Sequence, residues 1–155
     1  MKNFSTILLA ILLALSPICL IGCQSLQDAT PAQRIERSIP YLRGSAIIIT
    51  NGVFNYAVDE EDRKAKAQIV YDIALVIETM TAEGKIDINS VAELVSNYVP
   101  DKSHWSEFAA SIIMIYADVH AQAQDLEDTS KTKVLAKALN AIAGGCKAAS
   151  RVYLD

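Results

Sequence analysis

The fold this chain predicts is all-α, a compact bundle of five or six helices, and three observations carry that prediction. Apolar residues recur at alternating three- and four-residue spacings, most regularly at Trp105, Phe108, Ile112, Ile115, Val119 and Leu126, with Gln122 the only interruption, which is the spacing that lines one side of a helix. Helix-starting signals stand ahead of such stretches at Thr30-Pro31-Ala32-Gln33, Ser90-Val91-Ala92-Glu93 and Asp128-Thr129-Ser130. The one β-branched run, Ile47-Ile48-Ile49-Thr50, has no second strand in the chain to pair with.

Ahead of the bundle, Lys2 is followed by an apolar run from Ile7 to Leu15, then by Ser16-Pro17 and by Gly22-Cys23. This is the layout of a cleaved signal segment. A membrane-spanning helix needs about 20 uninterrupted apolar residues, and Pro17 and the Gly22-Cys23-Gln24 break come too soon. A secretory signal cut by the general peptidase is the other reading, but Leu20-Ile21-Gly22-Cys23 is a more specific match: it resembles the lipobox of bacterial lipoproteins. The resemblance covers the signal and its cysteine only. It implies that residues 1–22 are removed and that Cys23 carries two or three acyl chains, palmitate among them, as first residue of the mature protein. A non-aspartate at Gln24 implies sorting to the outer membrane, facing the periplasm, in a host that has one. Each buried methylene contributes about 0.8 kcal/mol and one chain gives only reversible binding, so several chains would hold the protein on the membrane.

Residues 23–30 read as the lipidated cysteine and a short polar tether. At about 3.3–3.6 Å per residue, Gln24 to Ala29 spans up to roughly 20 Å. Residues 31–155 read as one domain, the number expected for that length. Its first helix opens on the Thr30 cap and carries Arg34, Glu36 and Arg37; Pro40 is expected to kink or restart it.

From Tyr41 to Val58 the sequence is apolar nearly all round, which places that helix at the centre of the bundle. Gly44 and Gly52, with Ile48 between them, offer a side on which another helix could approach closely. Asp59 to Asp62 open the next helix, complementing its dipole and meeting Arg63, Lys64 and Lys66 in acid-first pairs. A calcium loop would need a glycine-punctuated alternation that is missing. The helix buries Ile69, Ile73, Val76, Ile77 and Met80 and stops at Gly84.

A shorter helix follows through Leu94, Val95 and Tyr98 and ends at Val99-Pro100-Asp101. The helix from His104 to Leu126 carries the most regular seam. The last helix, capped by Asp128-Thr129-Ser130, turns Leu135, Ala138, Leu139, Ile142, Cys146 and Ala149 inward. Its Ala141, Gly145 and Ala149 repeat every four residues, so its backbone can approach a neighbour closely. The bundle is expected to be mostly antiparallel.

Charge and reactive groups narrow the function. With 14 basic and 18 acidic residues the chain is mildly acidic, at −4, which argues against nucleic acid and against a polybasic membrane patch. Of the three cysteines, Cys19 is discarded with the signal and Cys23 is lipidated, so no internal disulfide is available and Cys146 reads as a buried thiol. His104 and Glu107 form half of a metal pair whose second half is absent, and His120 sits at the edge of its helix seam. No serine lies in a catalytic elbow or a phosphate loop.

No catalytic residue, metal ligand or cofactor is therefore assigned, and the candidate interaction surface is Tyr98, His104 and Trp105. The expected function is a non-catalytic, membrane-anchored, protein-binding helical module of the bacterial envelope, with membrane lipid and an envelope protein as partners. It resembles helical pilotin lipoproteins only in that general class, with no shared motif and no cysteine pair. The alternative is a cell-envelope enzyme with an unrecognised site. A polar cleft gathering titratable groups would favour that alternative, and an exposed apolar groove would favour binding.

Overall fold

The computed structural model describes residues 29–82, 93–94, 97 and 104–154, the side chains of 104–109 excepted. Four long helices account for most of them: α1 (Pro31–Tyr56), α2 (Glu60–Ala82), α3 (His104–Gln122) and α4 (Asp128–Arg151). Glu93, Leu94 and Asn97 are also helical, within the stretch where the shorter helix is expected. The described residues contain no strand, so Ile47 to Thr50 are helical. The signal segment, Cys23, the Ser90 capping box, Tyr98 and the Val99-Pro100-Asp101 stop lie outside the described residues.

The start of α1 is as expected. The Thr30 hydroxyl accepts from the Gln33 amide at 3.3 Å, and the Gln33 side chain accepts from the Thr30 amide at 3.1 Å. Pro40 does not restart the helix: α1 runs unbroken for 26 residues. Proline removes the bond that would end on the Glu36 carbonyl, and Pro40 and Glu36 both lie on the exposed side, where water can take its place. At the far end, Arg63 of α2 donates to the Phe54 carbonyl at 2.9 Å, filling one of the acceptors a helix terminus leaves open. Of the three acid-first pairs expected at the start of α2, Asp62 and Lys66 form one at 3.4 Å.

The centre of the bundle is α4, not the Tyr41–Val58 stretch. Helix α4 packs on α1, α2 and α3, and its buried residues include Val134, Leu135, Ala138, Leu139, Ala141, Ile142, Ala143, Gly145, Cys146 and Ala149. All six inward positions expected for it are among them. By contrast α1 leaves Ile48 60% exposed, with Tyr41 and Tyr56 exposed beside it. Side-chain size decides between the two. Two helices, α1 and α2, can press on one only where its surface is narrow, and alanine and glycine at Ala138, Ala141, Ala143, Gly145 and Ala149 supply that narrowness. The closest approach is at Gly145, where a Cβ would lie 2.5 Å from the Arg43 carbonyl oxygen and 2.8 Å from the Ala46 Cβ. Gly44 and Gly52, expected to admit a helix, have nothing within 4 Å.

Cross-helix contacts fix direction. Glu36 meets Lys137, Arg43 meets Gly145, and Asn55 meets Tyr153, so residue numbers rise together along α1 and α4 and the pair is parallel. Helix α2 runs the other way: Thr81 bonds Asn140 at 2.6 Å while Glu78 reaches Lys147. Tyr153 closes the end of the α1–α4 pair, its ring 4.9 Å from that of Phe54 and its hydroxyl bonded to Asn55 at 3.2 Å.

The seam of α2 matches expectation at Ile77 and differs at the other four positions. Ala67, Val70, Ala74, Ile77 and Thr81 are buried, whereas Ile69, Ile73, Val76 and Met80 are half-buried flanks. Helix α3 buries Ile112, Ile115, Tyr116 and Val119, as expected of its seam, but it ends at Gln122, so Leu126, expected as its last seam residue, lies beyond it and is half-buried. The cap of α4 is Glu127, whose side chain makes no capping bond, with Asp128 in the first turn; the Asp128-Thr129-Ser130 signal is displaced by one residue.

Candidate functional site

An open cleft of about 1000 Å³ lies between α1 and α2, floored by α4. The floor is a stripe of α4 at helical spacing, comprising Lys137, Asn140, Ala141, Gly144, Lys147, Ala148 and Arg151. Ile39, Pro40 and Arg43 of α1 form one wall, Tyr71 and Glu78 of α2 the other. Gly144 keeps the floor low, because a Cβ added there would meet nothing within 4 Å. The cleft exists because α1 and α2 each lean on α4 and scarcely on one another.

Its lining is net basic. Arg43, Lys137, Lys147 and Arg151 line it against one carboxylate, Glu78. That carboxylate is held by Lys147 at 2.6 and 2.5 Å, a two-point contact with both side chains about 30% exposed. At the rim Lys137 binds Glu36 at 2.5 Å. The Lys137 hydrogen bond, its charge and that of Lys133 together hold the Glu36 carboxyl below its usual range. Arg43 and Arg151 have no carboxylate partner among the described residues. Two guanidiniums with five fixed donors each suit a carboxylate or phosphate presented from outside.

The lining contains no histidine, cysteine, serine or aspartate. It does gather titratable groups, but they are one tied carboxylate, a tyrosine and four cations. Such a set can orient an acidic group and exclude cations. It offers no poised base beside a nucleophile.

The other singled-out residues are dispersed. Cys146 is buried in the α1–α4 contact. Burial pushes its thiol up to about 11, with the Thr50 hydroxyl and the Cys146 backbone pulling weakly the other way. Thr50 is fully buried, and its hydroxyl lacks a well-formed hydrogen bond, so its hold on the sulfur is loose. Cys146 is therefore a protonated thiol at neutral pH, a poor nucleophile. His120 is half-buried in the last turn of α3. Asp59 to Asp62 are exposed and open α2, and no cluster able to hold a metal ion exists among the described residues. Tyr98 and Cys23 lie outside those residues; His104 and Trp105 begin α3, with their side chains outside them.

Sequence reasoning did not find the cleft. Its signal was present as Lys137, Asn140, Gly144, Lys147 and Arg151 recurring on one side of the last helix, a basic stripe masked by attention to the apolar side. No described helix is long and apolar enough to cross a membrane. Comparison of the chain with protein-family models, curated proteins and solved structures finds no match.

Proposed function

We propose that this protein is a lipid-anchored, non-catalytic binding module of the bacterial cell envelope, displaying its helical domain on the periplasmic side of the outer membrane. The observation that carries the reading is Leu20-Ile21-Gly22-Cys23 at the end of the N-terminal apolar run, with acyl chains on Cys23 as the membrane attachment. The cleft gathers titratable groups, the feature set above for an envelope enzyme, but none of them is a base beside a nucleophile, and we read it as a binding surface. Its free guanidiniums, Arg43 and Arg151, suit an acidic segment of an envelope protein partner, and its one carboxylate is already engaged by Lys147.

Membrane fractions from cells expressing the tagged chain test this reading. The parent protein is expected in the membrane pellet, retaining a partner on pull-down. The Cys23→Ser chain is expected to leave the outer membrane. Arg43→Glu with Arg151→Glu should keep the membrane location and lose the partner. Recovery of the same proteins by the parent and the charge-reversed variant would remove the support for the cleft. An unchanged membrane location for Cys23→Ser would remove the support for the anchor.

A further inference from the structure

The shape of the cleft limits the form in which an acidic segment enters it. Its floor follows α4 from Lys137 to Arg151, about 21 Å of helix axis, and Ala141, Gly144 and Ala148 run down the middle of that floor. A Cβ added at Gly144 would meet nothing within 4 Å. Glycine is a poor helix former, and no contact among the described residues repays its place there. Without a side chain at Gly144, a second backbone can come closer to the floor than any other residue would permit. The walls are two helices that lean on α4 and scarcely on one another, so the groove between them runs along α4.

Segments dock on folded proteins in a small number of ways. Adding a strand needs an open sheet edge, and the described residues contain no strand. A polyproline segment needs a groove lined by aromatic rings, and the lining holds one, Tyr71. A helix needs neither, because its backbone hydrogen bonds close within itself. It asks for a groove between helices, a low floor and charges that complement its own. Small floor residues let two helix axes approach to the near end of the usual 8–10 Å, and the two arginines without a carboxylate partner among the described residues supply the charge.

We infer that the cleft takes its acidic segment as an α-helix laid lengthwise on Ala141, Gly144 and Ala148, an inference that rests on the binding role proposed above and adds the segment's form. Its carboxylates point to Arg43 and Arg151. Arg43 lies level with Gly145, and Arg151 is six residues further along α4, so their backbones stand about 9 Å apart along the groove. Acids seven residues apart on a helix are separated by about 10.5 Å and share one side of it, which matches that offset. Small or apolar residues between them face the floor. Both arginines are exposed, so they select charge and register while the close floor supplies the packing. Lys137 and Lys147 are already held by Glu36 and Glu78 and tie the walls to the floor.

Fluorescence anisotropy of labelled peptides titrated with the full chain in detergent micelles tests it. The probe is an alanine- and glutamine-based peptide of about 18 residues, long enough to hold a helix, with two glutamates seven apart and a leucine midway. The control peptide differs by one central proline, which breaks the helix and leaves the charge unchanged. The helical probe is expected to bind at least about tenfold more tightly than the control. Arg43→Glu with Arg151→Glu should abolish that binding. Gly144→Leu, at a position with empty space above it, should weaken it about tenfold with an unchanged helical circular dichroism spectrum. Equal binding of the two peptides overturns the helical form and leaves the acidic-segment reading standing. A parent chain that binds neither peptide overturns the inference, while the binding role itself stands or falls with the partner pull-down. A Gly144→Leu chain that binds like the parent takes the ligand off the floor and overturns its placement.

Discussion

Among the described helices α1 and α4 are the two that contain glycine, and they use apolar residues in opposite ways. In α1 large β-branched and aromatic side chains crowd the middle, yet Ile48, Tyr41 and Tyr56 face outward. In α4 alanines and glycines alternate with Leu135, Leu139 and Ile142, and that helix takes the centre. The difference teaches that mean apolarity does not choose the innermost helix. Width does, because interiors are close-packed and two neighbours must both reach one axis. Gly145 sits where a methyl group would strike the α1 backbone, whereas Gly44 and Gly52 open onto nothing.

The sharpest way to break this comparison is to remove bulk from each helix in turn. Leu139 is 1% exposed in α4, so Leu139→Ala should lower stability by about 3–4 kcal/mol through lost transfer energy and a residual cavity. Ile48→Ala, by contrast, should change it by less than about 0.5 kcal/mol. Chemical denaturation of both variants measures this. Comparable losses would mean that α1 is as central as α4.

Glycine substitution gives the next largest effect, and here the sign differs. Gly145→Ala gains helix propensity but drives a Cβ into the Arg43 carbonyl, so a net loss of about 2 kcal/mol is expected. Gly44→Ala meets nothing and should gain about 0.5–1 kcal/mol. Opposite signs in thermal or denaturant melts would sharpen the contrast; equal signs would break it.

The last effect, absent at neutral pH and confined to the alkaline range, concerns the thiol at the α1–α4 contact. Burial raises Cys146 from 9.0 to about 11, so the folded state holds its proton more tightly than the unfolded chain does. Its contribution is complete below pH 9 and is lost as pH rises toward 11, amounting to about 2–3 kcal/mol at the upper end. Other groups also titrate there, so the difference from Cys146→Ala is what should be followed. An identical alkaline slope for the two chains would place the thiol in a wetter setting than the fold gives it.

Much of the helical content was legible in the sequence. The Thr30–Gln33 capping box, the acidic start of α2, the α3 seam at Ile112, Ile115 and Val119, and every expected inward position of α4 are where local chemistry put them. What was not legible came from pairwise packing. The α2 seam runs through Ala67, Val70, Ala74 and Ile77, so of the expected isoleucines Ile77 is in it while Ile69 and Ile73 flank it, an offset set by where α4 lies. Pro40 leaves α1 intact because its lost bond faces water. The parallel α1–α4 pair and the cleft between α1 and α2 are properties of the assembled bundle, and single-helix periodicity carries no information about either.

The function proposed above rests on acylation of Cys23, the last residue of Leu20-Ile21-Gly22-Cys23. Mass spectrometry of the N-terminal peptide of protein extracted from membranes tests that most directly. The account predicts a chain that begins at Cys23 and carries the added mass of two or three acyl chains. A chain that retains residues 1–22, or begins at an unmodified Cys23, would contradict it.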